Sequence, residues 1–284
     1  MATRMKLLQL QNVLPPGLNF DDLVREVCQA EIPWTRHYSE YQSGGWWTCS
    51  LLGRSADATD GEVTDTVQPS VTDALEKLSV TRQLLQDMRL DYMLARLARF
   101  DPGGALWEHR DYQNLRQVPR QRIHLPIETN ADAFMVAGGR RFHMGLASLW
   151  TFRPTTAHGA CNLGARPRVH LILDVYEDER LKKVLAGAIA TSSTAMSEIS
   201  ADELDAKVRF LHTTLRNGHI SGNPSPDALT HWERAVLGLY FAFAVPEGQL
   251  YDALERVCRD DGDGERAGFW AARRQLVLAE GVHA

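Results

Sequence analysis

A chain of 284 residues with 44% apolar and 24% charged residues has an ordinary globular composition, and it is long enough to bury a core without disulfides or structural metal. Its formal charge of −5, mixed in sign along the chain, leaves no basic stripe to neutralise a phosphate backbone, which excludes nucleic acid as a partner. Cys28, Cys49, Cys161 and Cys258 form no CxxC pair, no window approaches ~20 apolar residues, and MATRMKLLQLQNV lacks a signal h-region; the expectation is reduced thiols, a cytoplasmic location and no membrane partner.

KLLQLQ alternates as a strand does, and Asn19 stands where an N-cap belongs, before the helical run FDDLVREVCQAE. From Gly44 to Thr66 periodicity fades, and GGWW with GRSADATDGE predicts a short strand and a loop folded over a site. Leu75, Leu78, Val80, Leu84 and Leu85 recur at near-helical spacing, and alternation returns in LDYMLARLARF. Up to Tyr176, short strand-like runs are separated by DPGG, NLRQVP, ETNAD, AGGR and RPTT, a pattern that suits an antiparallel barrel or jelly roll. After Tyr176 the period becomes helical through EDERLKKVLAGAIA, SADELDAKVRFLHTTL, DALTHWERAVLGLYFAF, QLYDALERVC and ERAGFWAARRQLVLAE. Ser200 and Glu203 form a capping box there, and NGHISGNPSPD marks a break between helices. The expected division is a β-rich domain over residues 1–178, with its N-terminal strand and helices, and a helical domain over 179–284.

Chemistry concentrates in the β-rich part. In ALWEHRDYQ, strand alternation predicts Trp107, His109 and Asp111 on one face. An HxD pair alone is weak evidence, but His158 follows at the distance expected if the chain passes around a barrel and returns. Two imidazoles and one carboxylate make a facial triad, which suits ferrous iron with positions left for a chelating cosubstrate and dioxygen; structural zinc would take a closed set of four ligands. In RVHLILDVY, Arg168, His170, Ile172 and Asp174 share a face opposite Val169, Leu171, Leu173 and Val175. An arginine inside a barrel needs an anion, and a dicarboxylate supplies one, so Arg168 is the candidate for the distal carboxylate of 2-oxoglutarate. In QRIHLPI, Arg122 and His124 share a face and are candidates for holding a second carboxylate.

These residues, in this order, resemble the aspartyl/asparaginyl β-hydroxylase-like branch of the Fe(II)/2-oxoglutarate oxygenases, and within it the bacterial L-proline 3-hydroxylases. The likeness rests on HRDY, Arg122, the HM of His143 and Met144, Leu149 with Trp150, and His158 with Asn162 and Arg168. It extends to SGGWW near the N-terminus and to LYFAFAVPEGQLYDAL and RDDGDGE in the helical part, thus covering most of the chain. RIHLPI departs from the proline enzymes and is closer to the β-hydroxylases, whose Arg-x-His strand includes the equivalent of His124. The resemblance implies a double-stranded β-helix (cupin-like jelly roll) in which His109, Asp111 and His158 bind Fe(II). It also implies that Arg168 with His124 binds 2-oxoglutarate, and that Arg122 contacts a carboxylate of cosubstrate or substrate. The activity implied is hydroxylation of an amino acid, a proline-like free one first, with Asp111 favouring hydroxylation over halogenation. Trp47 and Asn162 are expected to touch substrate, with Trp47, Trp107 and Trp150 as walls; Trp46 is expected in a core away from ligand, and His143 and His170 in supporting positions. Two rivals remain at this point: the same chemistry on a carrier-bound or peptide-embedded residue, and a cupin-like metal-binding sensor without turnover.

Overall fold

The computed structural model describes residues 6–216 and 229–279. In chain order, β1 (Leu8–Leu10) and α1 (Phe20–Gln29) precede β2 (Trp46–Gly53), and β3 (Ser70–Val71), α2 (Asp73–Glu76) and α3 (Ser79–Met88) lead to β4 (Tyr92–Phe100). Next come β5 (Ala105–His109), β6 (Arg120–Glu128), β7 (Ala133–Ala137), β8 (Arg140–Phe142), β9 (Leu149–Phe152), β10 (His158–Asn162) and β11 (Arg168–Tyr176). The remainder is α4 (Glu179–Ala186), β12 (Ile189–Ala190), β13 (Thr194–Ala195), β14 (Ser197–Glu198), α5 (Ala201–Leu215), α6 (His231–Gly238), β15 (Phe243–Ala244), α7 (Gln249–Asp260) and α8 (Gly264–Leu278).

The strands form two facing sheets, one of eight in the order β12-β1-β9-β6-β11-β4-β2-β3 and one of five in the order β13-β8-β7-β10-β5. This is the double-stranded β-helix. Its central strands read as the alternation predicts. Ile123, Leu125, Leu171 and Leu173 point outward into a core with Leu23 and Val27 of α1 and Leu84, Leu85 and Met88 of α3. Their neighbours Arg122, His124, Arg168, His170 and Ile172 point inward to the space between the sheets. The outer face of the small sheet is covered by the C-terminal helices, where Trp107, Val136 and Cys161 meet Val236, Leu254 and Trp270.

The helix starts follow their caps. The Asn19 side chain accepts from the backbone N–H groups of Asp21 and Asp22, and Ser200 with Glu203 closes the capping box at α5. The break NGHISGNPSPD lies at residues 217–227, outside the described residues. Two segments expected to be helical throughout are helical only in part. Gly187 stops α4, after which β12 pairs with β1 and β13 with β8, so chain beyond residue 178 covers the open edges of both sheets. After α6, Leu239–Phe241 tightens into a 3-10 turn and β15 pairs with β14. No helix among the described residues is long and apolar enough to cross a membrane.

Candidate metal centre and its cavity

A cavity of about 550 Å³ opens between the sheets, and His109, Asp111 and His158 lie on its wall. One ligand atom from each lies within 4.8 Å of the others. His109 and His158 face each other directly across the β5–β10 pair, with ring centroids 4.4 Å apart. That alignment requires a β-bulge: between His158 and Ala160 on β10 the register spans three steps of β5, from His109 to Leu106. Gly159 beside it has no room for a side chain, because a Cβ there would meet the Tyr240 ring at 2.9 Å and the Leu106 carbonyl at 3.0 Å.

The bulge also corrects an expectation. Trp107 does not share the face of His109; the extra residue turns it outward against Phe241 of the helical part, and Leu106 lines the cavity instead. The bulged strand is braced from outside. Tyr251 donates to the Glu108 carbonyl at 2.6 Å, the Gly248 N–H donates to the Glu108 carboxyl at 3.0 Å, and Arg110 bonds Thr155, Glu247 and the Val277 carbonyl. The helices thus hold the strand that carries His109.

Each triad imidazole contacts a backbone carbonyl through Nδ1, His109 that of Trp107 at 2.7 Å and His158 that of Thr156 at 2.8 Å. A proton on each Nδ1 satisfies both contacts and leaves each Nε2 lone pair directed at Asp111, whose carboxylate oxygens lie 4.0 Å from His109 Nε2 and 3.5 Å from that of His158. Burial, helped by His109, pushes the His158 imidazole down to about 3, so it is neutral and free to act as a ligand. Burial alone would raise the Asp111 carboxyl, but Arg122, with both histidines and Arg96, holds it well below the usual carboxylate range. Two imidazole nitrogens and one carboxylate, with no fourth donor clustered among the described residues, fit an open facial site for Fe(II).

Arg122 stands beside this centre with its guanidinium committed to protein. Nη1 donates to Asp111 Oδ2 at 2.5 Å, while Nε and Nη2 donate to the two oxygens of Asp174 at 2.7 and 3.0 Å. The expected contact of Arg122 with a ligand carboxylate is therefore replaced by two protein carboxylates. The reason is register, since Asp174 is directly opposite Arg122 in the β6–β11 pair.

Further along β11 the charge is handled differently. Arg168 is buried, its Cζ sits 5.2 Å over the Phe100 ring, and its Nε donates to the neutral imidazole of His170 at 2.9 Å. No carboxylate among the described residues reaches it, and burial pushes its guanidinium down to about 9. Burial and Arg168 also hold the His124 and His170 imidazoles well below their ordinary value. His124 Nε2 has no partner, although the ring lines the cavity.

A further residue was not anticipated. Arg96 on β4 lines the same cavity, is 4% exposed, and has no hydrogen-bond partner for Nε or Nη1. The available signal was an arginine on the inward phase of YMLARLARF, across from Ile172.

The remaining expectations divide by strand phase. Trp46, not Trp47, lines the cavity, tilted against Phe100 with ring centroids 4.8 Å apart; successive side chains alternate, and Trp47 points away to Asp101 and Arg36. Trp150 packs in a separate apolar cluster with Phe142 and Met144. Asn162 does not reach the cavity, because its side chain ties a turn through the carbonyls of Phe100 and Arg166, Asn130 and the Gly164 N–H. The loop after β2 does fold over the mouth, where Glu62 to Asp65 line it and Asp65 holds Arg120 at 2.8 Å.

Comparison with known proteins agrees with this geometry. The family model described as aspartyl/asparaginyl beta-hydroxylase matches residues 20–178, more than half of the chain and all of the strands that carry the triad. The chain belongs to the aspartyl/asparaginyl β-hydroxylase family. It is accordingly an enzyme of the Fe(II)/2-oxoglutarate-dependent hydroxylases, and the family implies Fe(II) and 2-oxoglutarate. L-proline cis-4-hydroxylase of Rhizobium meliloti (strain 1021) is 26% identical over 233 residues, 80% of each chain. That relative is named for position 4 of proline, so the expected likeness to the 3-hydroxylases in particular gives way to a likeness to proline hydroxylases more broadly. Among solved structures, the chain is similar to a 2OG-Fe(II) oxygenase family oxidoreductase from Burkholderia pseudomallei, at 12% identity and TM-score 0.38 over 57% of this chain and 82% of that one. It is also similar to a prolyl-4-hydroxylase of Pseudomonas putida, at 14% identity and TM-score 0.38 over 61% of this chain and 94% of that one.

Proposed function

We propose that this family member hydroxylates a free, proline-like amino acid. In this reading His109, Asp111 and His158 hold Fe(II), Arg168 with His124 takes 2-oxoglutarate, and Arg96 takes the carboxylate of the amino acid. Fe(II) supplies the dioxygen activation that couples decarboxylation of 2-oxoglutarate to succinate and carbon dioxide with hydroxylation of a C–H bond. The residues of the chain bind and orient: the paired Nδ1 contacts keep both imidazoles in the ligating tautomer, and Trp46, Phe100 and Ile172 keep water from the reacting carbon.

One observation carries the reading. Two buried guanidinium groups, Arg96 and Arg168, face one cavity, and among the described residues neither makes a salt bridge with a carboxylate, although Arg96 feels the charge of Asp111. A buried unpaired cation is costly, and the cost is relieved when a bound anion completes the pair. Two such cations call for two carboxylates, one from the cosubstrate and one from a substrate whose own carboxylate is free. A thioester or amide of the same amino acid would leave Arg96 uncompensated, which favours the free acid over a carrier-bound or peptide-embedded residue. The name of the Rhizobium relative supports proline as the first substrate to try.

The test supplies the enzyme with Fe(II), 2-oxoglutarate and a panel of free amino acids, each beside its methyl ester and amide, and follows succinate and the hydroxylated product. Coupled turnover is expected with free proline-like acids, and esters and amides are expected to be poor. Equal turnover of acids and amides would overturn the free-acid reading.

A further inference from the structure

We infer that Arg122 and Asp174 are a positioning pair for the metal ligand Asp111: together they orient that carboxylate so that it offers a metal one oxygen. The inference rests on the iron reading above.

The geometry is closed on every side. Asp174 is entirely buried and Arg122 is 5% exposed, so solvent screens neither. The three nitrogens of the Arg122 fork are divided, one to Asp111 Oδ2 and two to Asp174. Tyr112, directly after Asp111 and at φ +66°, adds its hydroxyl to Asp174 Oδ1, and its ring lies 5.1 Å from the Arg122 Cζ and 5.3 Å from that of Arg120. A tyrosine in the left-handed region is uncommon, and here that conformation lets adjacent residues serve opposite ends of one guanidinium.

The two partners do different things. Arg122 donates to Asp111 Oδ2, so Oδ1, 4.0 Å from His109 Nε2, is the oxygen without a side-chain hydrogen bond and the one favoured as ligand, and a carboxylate held to one oxygen leaves coordination positions for the cosubstrate and dioxygen. Asp174 neutralises Arg122 from behind. Without it, the full guanidinium charge would fall on Asp111 and draw electron density away from the ligating oxygen, in competition with the metal.

Co(II) or Mn(II) serves as the probe, bound to the full chain without turnover. In Asp174→Asn, metal affinity is expected to fall about 10–100-fold, as for other partners of metal ligands. Because that variant leaves polar groups buried and risks misfolding, the deciding variant is the double Arg122→Met/Asp174→Leu, which replaces the pair with apolar groups of similar volume. If the pair positions Asp111, the folded double variant binds Co(II) more weakly and shows a changed visible absorption spectrum, because Asp111 is free to ligate through both oxygens. Wild-type affinity and spectrum in the folded double variant would reduce the pair to a structural ion pair. Tyr112→Phe removes only one hydroxyl contact and is expected to keep the wild-type spectrum. His109→Ala separates the two readings: if it binds metal like wild type the iron site itself is wrong, whereas if it loses metal and the double variant does not, only the positioning inference fails.

Discussion

The two ends of the cavity treat buried arginine in opposite ways. Arg122 and Arg168 come from neighbouring strands, face the same space and are both under a tenth exposed. Arg122 is shared between two carboxylates, whereas among the described residues Arg168 meets a neutral imidazole and an aromatic face but no carboxylate. Identity of residue and degree of burial are equal, so the difference lies in what completes the charge. A cation completed by the protein is part of the scaffold of the metal centre, and a cation left incomplete marks where a ligand supplies the counter-charge.

Removing each cation breaks or sharpens that contrast, and the largest effect belongs to Arg122. Arg122→Met strands Asp111 and Asp174 without a counter-charge, and stability is expected to fall by about 3–5 kcal/mol, the usual consequence of breaking a buried pair from one side. Chemical denaturation of the metal-free protein measures this. Arg168→Met in the same assay is expected to be neutral or stabilising, because it removes a buried charge that no carboxylate among the described residues offsets. Equal losses in both variants would erase the distinction. The loss in Arg168→Met appears instead in function: KM for 2-oxoglutarate rises about 30-fold or more, corresponding to the ~2–5 kcal/mol lost when one partner of a buried charge pair is truncated. 2-Oxoglutarate also raises the Tm of wild type and not that of this variant. Arg96→Met is expected to raise KM for the amino acid by about tenfold or more, the order of a charge-assisted hydrogen bond, with KM for 2-oxoglutarate unchanged. If the KM for 2-oxoglutarate moves instead, Arg96 and Arg168 exchange roles.

That contrast was only half legible in the sequence. Alternation in RVHLILDVY and QRIHLPI is enough to put Arg168, His124 and Arg122 inside, because β11 and β6 are flanked by sheet on both sides and each tolerates one phase only. Local chemistry is legible too, as in the Asn19 cap and the Ser200–Glu203 capping box. Which inward arginine is already paired is not, since it depends on the β6–β11 register that sets Asp174 opposite Arg122, a relation between residues 52 apart. The same limit explains Trp107, moved to the outer face by one extra residue opposite β10, and Trp46, whose phase follows from its pairing with Phe100 rather than from GGWW itself. Arg96 was obscured because its strand carries a second arginine, Arg99, on the opposite phase, and the sequence does not say which of the two faces a cavity.

The smallest effect extends the contrast to the helical part, where a buried carboxylate is fully completed far from the cavity. Glu233, 1% exposed, accepts from Arg266 at 2.6 and 2.7 Å, from Trp270 Nε1 at 2.9 Å and from the Thr230 N–H at 2.7 Å, and so joins α6 to α8. Burial would raise its pKa, but Arg266 and Thr230 hold it below the ordinary value. A carboxyl with a lower pKa folded than unfolded contributes stability above its unfolded value, about 4.3, and that contribution is lost as pH falls through the folded value. Glu233→Gln is therefore expected to melt about 2–4 °C below wild type at neutral pH, the shift for ~1 kcal/mol in a chain of this size. The gap should close as the pH falls below the ordinary carboxylate range, with metal and 2-oxoglutarate affinity unchanged at pH 7. A gap that stays constant with pH would mean that packing of α6 on α8, rather than the charge of Glu233, holds the two helices together. Lost metal affinity at neutral pH would mean that the brace from the helices to the His109 strand runs through this carboxylate as well as through Glu108 and Arg110.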